Sequence, residues 1–239
     1  MSTAVADAMR LEVGGIPIEI FERGKGKPLL FLHPGHPAGR LDPASRAMEA
    51  LAEKMRVIAP THPGFGTTPA PAQLTTVDDL AYLYLDLLEA MNLKDVVLAG
   101  ASFGGWIAAE IAVKSTERVS HLILIDAVGI KAGDRETRDI PDIFALAPDE
   151  VTRLVYHDPQ KAAVDYAAMS DEQLGIIDLN SAACKPARMV ASTAEERFSV
   201  IGSDVVQCWP ARRSDGFKEG AIKSCYSYLF RASTSFDRR

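Results

Sequence analysis

A chain of 239 residues with 47% apolar and 24% charged side chains suits one large α/β domain, or one domain with an inserted subdomain, around a sizeable core. Its net charge of -6, with no basic stripe interleaved with aromatics, disfavours nucleic acid, and no apolar run reaches the roughly 18 residues that cross a bilayer. Cys184, Cys208 and Cys225 lack paired short spacing, which argues against a disulfide framework and a metal site, and residues 1–9 lack an export signal, so a cytoplasmic setting is expected.

In chain order, Leu11, Val13, Ile16, Ile18 and Ile20 alternate around Gly14-Gly15, which predicts an opening hairpin. Gly24-Lys25-Gly26-Lys27 has no phosphate-loop spacing and reads as a turn. The continuous apolar run 28–32 predicts a strand covered on both faces, ending in His33-Pro34-Gly35-His36-Pro37. A helix is expected within 43–55, then a strand at 57–59 running into Pro60-Thr61-His62-Pro63-Gly64-Phe65-Gly66. Thr75 or Thr76 caps a helix with Asp78 and Asp79 in its first turn, Val77, Leu80, Tyr84, Leu87, Leu88 and Met91 on one face, and Asn92 at its end.

Next comes Val96-Val97-Leu98-Ala99-Gly100-Ala101-Ser102-Phe103-Gly104-Gly105, an apolar strand that delivers a serine between glycines into a small-residue helix. A nucleophile elbow needs this order, because the sharp turn exposes the hydroxyl while bringing backbone so close that flanking side chains would clash. The helix N-terminus then points N–H groups at the reacting centre. A further buried strand at 121–125 leads to Asp126. Strands alternating with helices predict a mostly parallel sheet with helices on both faces and active groups beyond the carboxyl ends of its strands.

From residue 129 the pattern becomes amphipathic and helical, with 149–156 as a short helix; this block reads as a helical cap. The expected division is a core at 1–128, a cap at 129–190 and an atypical segment at 191–239. Beyond Leu174 buried strand runs are scarce, 198–202 being the best candidate, and Trp209-Pro210 carries no assigned role.

Over about residues 10–170 these motifs, in this order, resemble the α/β-hydrolase superfamily, and within it the bacterial serine hydrolases with a helical cap. The features that carry the resemblance are His33-Pro34-Gly35, Pro63-Gly64-Phe65-Gly66, the Ser102 elbow and Asp126-Ala127. It implies that Ser102 is the nucleophile and that the Phe103 amide is one oxyanion donor. Pro34 has no N–H, so Gly35 is the expected second donor. His33, His36 and Trp106 are candidate substrate-binding residues; Trp106 reads equally as core, while His33, His36 and His62 read as loop-shaping residues or as neighbours of Ser102. The resemblance places the triad acid at Asp126 or Asp204.

The chain departs from the family at the general base. Its histidines are His33, His36, His62, His121 and His157, and none stands in the late position where the family carries its catalytic histidine. Two readings follow. One is a cofactor-free, metal-free serine hydrolase that forms an acyl-enzyme from a small ester-like or activated carbonyl substrate, carboxylesterase and C–C bond hydrolase both being open. The other is an impaired hydrolase whose final third is truncated or frame-shifted and lacks the last strands, or a non-catalytic homologue that binds small molecules. A serine at the elbow disfavours the halide- and epoxide-cleaving branches, which use a carboxylate.

Overall fold

In the computed structural model, the structure describes residues 8–35, 46–66, 68, 71–129, 146–155, 159–160, 169–171, 174–175 and 206–210. The elements are β1 (Ala8–Val13), β2 (Ile16–Arg23), β3 (Pro28–Leu32), α1 (Arg46–Ala52), β4 (Arg56–Pro60), α2 (Val77–Ala90), β5 (Val96–Ala101), α3 (Phe103–Lys114), β6 (Val119–Ile125), α4 (Pro148–Val155) and β7 (Val206–Pro210). They build one seven-stranded sheet in the order β1-β2-β4-β3-β5-β6-β7. Its centre, β4-β3-β5-β6, is parallel. The hairpin β1-β2 joins β4 antiparallel, after a turn in which Gly14 and Gly15 take φ of 56° and 78°.

The period-2 alternation of a strand sorts the continuous apolar runs onto two faces. Leu30, Leu32, Ile58 and Leu98 pack with Ile18 and Ile20 under Tyr84 and Leu87 of α2 and Ile107 and Ile111 of α3. On the opposite face Leu29, Phe31, Val57, Val97, Ala99 and Ile123 pack with Met48 of α1. Helices therefore cover both faces, as the sequence predicts. α2 begins at a capping box in which Thr76 Oγ1 accepts from the Asp79 amide at 3.1 Å while the Asp79 carboxylate accepts from the Thr76 amide at 2.8 Å. It buries Ala81 and Leu83 in addition to the expected positions and leaves Leu80 and Met91 half-buried, because it touches both α3 and the sheet margin at β1. Asn92 then turns left-handed at φ 48°, and the Leu93 amide reaches back to the Leu88 carbonyl at 2.9 Å, which closes the helix.

α1 is shorter than the expected helix, with 43–45 outside the described residues. α4 occupies the expected short helix near 149–156, with an Arg153–Asp149 pair at 2.8 Å on its exposed side. β7 corrects the sequence reading. Val206–Pro210, which includes Trp209 and Pro210, pairs antiparallel with β6, Ile125 facing Val206 and His121 facing Pro210. An open β6 edge would leave backbone donors and acceptors unpaired, and a short β-branched and aromatic stretch satisfies them; Pro210 falls at the strand end, where its missing N–H costs least. The candidate strand at 198–202 lies outside the described residues.

Candidate active site

The carboxyl ends of β3, β5 and β6 meet at the first turn of α3, and three glycines allow the approach. A Cβ on Gly100 would stand 2.2 Å from the Gly104 carbonyl oxygen, and one on Gly104 would stand 2.2 Å from that of Leu32. A Cβ on Gly105 would meet the Ala127 side chain at 2.6 Å. No side chain larger than hydrogen fits at these positions without moving backbone.

Ser102 sits at the apex with φ 50° and ψ -113°, a conformation that costs a non-glycine residue about 1–3 kcal/mol. The surrounding backbone enforces it. Its amide donates to the Ile125 carbonyl at 2.9 Å, and its carbonyl accepts from the amides of Trp106 at 3.1 Å and Val128 at 3.2 Å. Ser102 occupies the N-cap position of α3, yet its hydroxyl makes no capping bond, and the residue is half-buried. The side chain thus stays at the rim, beside the positive end of the helix.

The loop after β3 closes one side of this rim. A Cβ on Gly35 would lie 3.0 Å from the Phe103 Cβ, so the Gly35 backbone rests against the residue that follows the serine. Behind the loop, His33 and His62 stack with ring centroids 3.8 Å apart, and Phe65 and Phe103 close around them edge-on. Both histidines are buried, and their bonding partners dictate their protonation. The His62 amide donates to His33 Nε2 at 2.9 Å, so that nitrogen carries a lone pair; His33 Nδ1 donates to the Pro34 carbonyl at 2.9 Å. His62 Nε2 donates to the His33 carbonyl at 2.8 Å, which leaves Nδ1 to accept from the Tyr84 hydroxyl. Each ring is neutral in one tautomer. Burial accordingly lowers His33 to about 4 and holds His62 well below its ordinary value, where His33 acts against its charge as well. Burial also raises the Tyr84 hydroxyl, which keeps its proton to donate.

These bonds place His33 and His62 among the loop-shaping residues. Their acceptor lone pairs face the His62 amide and the Tyr84 hydroxyl, so neither nitrogen is left to take a proton from Ser102. His121 lies near the opposite end of β6, registered with Val97, and bonds Ser120. Asp126 stands one residue beyond the Ala101–Ile125 pair, exposed and at φ 44°, next to Ser102 along the rim. Trp106 is 7% exposed, and a Cβ on Gly129 would press to 2.3 Å from its ring, which makes the indole a floor for the chain as it leaves β6. His36, His157 and Asp204 lie outside the described residues. The sequence reading missed the polar role of Tyr84, assigning it only to the apolar face of α2. The available signal was the hydroxyl itself, since a tyrosine on a fully buried face needs a partner.

Among the described residues, no helix is long and apolar enough to cross a membrane, and no group of three or more potential ligand side chains surrounds a metal position. The family model for the alpha/beta hydrolase fold matches residues 28–171. A 2-hydroxymuconate semialdehyde hydrolase of Pseudomonas putida is 31% identical over 194 residues, covering 70% of this chain and 68% of the relative. One of the same description from Pseudomonas sp. (strain CF600) is 32% identical over 162 residues, or 59% of this chain and 57% of its own. The chain thus spans between one half and about two thirds of the length of these relatives. A solved serine hydrolase involved in carbazole degradation superposes with a TM-score of 0.59 at 22% identity, covering 81% of this chain and 73% of that one, which shows a shared fold. By family match and by architecture, the chain belongs to the α/β-hydrolase family.

Proposed function

We propose that Ser102 is the nucleophile of a serine hydrolase centre acting on a small substrate with an activated carbonyl, and that the C–C bond next to the carbonyl of a diketone-like dienoate is the bond it cleaves. The strained, backbone-clamped conformation of Ser102 beside the Gly35 loop carries the reading. The serine oxygen bonds to the carbonyl carbon as its proton passes to a base. The carbonyl oxygen becomes an oxyanion, stabilised by the amides of Phe103 and Gly35; its collapse re-forms the carbonyl and breaks the adjacent C–C bond, the departing carbon takes up the proton removed from the serine, and water later cleaves the acyl-serine. Asp126 or Asp204 serves as the acid, and the segment 129–190 caps the rim above a core at 1–128. The choice of C–C cleavage over ester hydrolysis rests on the two relatives described as 2-hydroxymuconate semialdehyde hydrolases.

A second reading, a carbonyl-binding site with strongly reduced turnover, draws on the bonding that occupies His33 and His62. A serine without a base loses orders of magnitude in rate. Turnover of 2-hydroxymuconate semialdehyde and of p-nitrophenyl butyrate, measured for the parent and for Ser102→Ala, separates the readings. The proposal predicts that the substitution lowers kcat for the semialdehyde by roughly a thousandfold or more. Equal rates for parent and variant would favour the second reading. Faster loss of the ester than of the semialdehyde would favour esterase action.

A further inference from the structure

We propose that His62 is a positioning residue: with Tyr84 and His33 it forms a fixed-tautomer hydrogen-bond relay that seats the Gly35 loop against Phe103, where the oxyanion is to be held. The inference rests on the reading of Ser102 as nucleophile with Gly35 and Phe103 as oxyanion donors.

Three groups of invariant polarity frame the relay. The His62 amide can only donate, and the carbonyls of His33 and Pro34 can only accept. Two bonds run between the segments in opposite directions, from the His62 amide to the His33 ring and from the His62 ring to the His33 carbonyl, so the β3 and β4 loops are clasped at two points. The Tyr84 hydroxyl, on α2, supplies the last donor and fixes the rotation of the His62 ring about its own axis. The Pro34 carbonyl is held by the His33 ring, and Gly35 follows directly. Preorganisation of this kind matters because an oxyanion donor acts only when it already points at the place where charge develops. Reversing the His33 tautomer would set its Nε2–H against the His62 amide, and reversing His62 would set a lone pair against the His33 carbonyl, so the relay has one arrangement. His33, His62 and Tyr84 are its titratable members, supplied by the β3 loop, the β4 loop and α2, with Phe65 and Phe103 completing the wall.

Two measurements on the full chain test this. Imidazole 15N NMR of the parent at pH 7 should report His33 protonated at Nδ1 and His62 protonated at Nε2, both neutral. Phenylboronic acid, which forms a tetrahedral adduct with a serine hydroxyl as one proton is released, then reports the oxyanion site without requiring a general base. His62→Leu, which keeps the volume apolar and removes both ring bonds, should weaken boronate binding by about tenfold to a hundredfold. His62→Gln retains a donor for the His33 carbonyl and an acceptor for Tyr84, and should restore binding to within about threefold of the parent. A charged His33, either reversed tautomer, or boronate binding by His62→Leu equal to the parent would overturn the relay. Should His62→Leu fail to fold, the tautomers of the parent and the behaviour of His62→Gln decide. If Ser102→Ala binds the boronate as tightly as the parent, the reading of the site itself is overturned, and the relay's role with it.

Discussion

At the scale of single residues, the chemistry of the site is set by which lone pairs are already spent. His33 is buried with its Nε2 lone pair given to the His62 amide, so the folded chain favours its neutral form and lowers it to about 4 from an unfolded value of 6.5. Between those values the unfolded chain binds more protons than the folded one, so stability falls as pH falls. The contribution of His33 is complete above pH 6.5 and declines as pH drops through the window, the loss reaching about 3 kcal/mol at pH 4. Urea denaturation at pH 7.5 and pH 4.5 should show a smaller loss in His33→Gln than in the parent; equal losses would contradict the assignment. The sharp turn at Ser102 was legible in the sequence because its signal is steric: Gly100, Gly104 and Gly105 answer to clashes within a few residues of chain. The His62–Tyr84 and His62–His33 bonds were not, because they join positions 22 and 29 residues apart and leave no periodic trace.

At the scale of elements, local signals and tertiary pairing divide the fold between them. α2 carries its own start signal in Thr76 and Asp79 and its own stop in Asn92, and both operate as the sequence predicts. Thr76→Ala should cost about 1 kcal/mol in a urea melt with no change in activity, since the box satisfies donors at the helix start far from Ser102. A cost near zero would mean that packing of Leu83, Tyr84 and Leu87 alone holds the first turn. The strands β3, β4 and β5 were legible as unbroken apolar runs because both of their faces are covered. β7 was not. Its five residues carry no alternation that distinguishes them from a loop, and its existence as a strand depends on the free edge of β6 rather than on its own sequence. The extra burial of Ala81 and Leu83 on α2 has the same kind of cause, a second partner that periodicity does not reveal.

At the scale of the whole molecule, the parallel order β4-β3-β5-β6 gathers the ends of four strands on one rim. Separate segments of chain thereby become one surface: the Gly35 loop from β3, His62 from β4, Ser102 from β5 and Asp126 from β6. The alternation of strand and helix made this gathering legible in the sequence, because right-handed crossovers put every following loop on the same edge. The identity of the base was not legible, since the chain's histidines precede the position where the family carries that residue and the described ones are committed to loops or to the far end of β6. The most direct test of the central claim is covalent labelling of the full chain with a fluorophosphonate, which phosphonylates an activated serine with loss of fluoride, followed by peptide mapping. One adduct per chain is expected, on the peptide containing Ser102, and none on Ser102→Ala. An adduct on another residue, or an unlabelled parent, would contradict it.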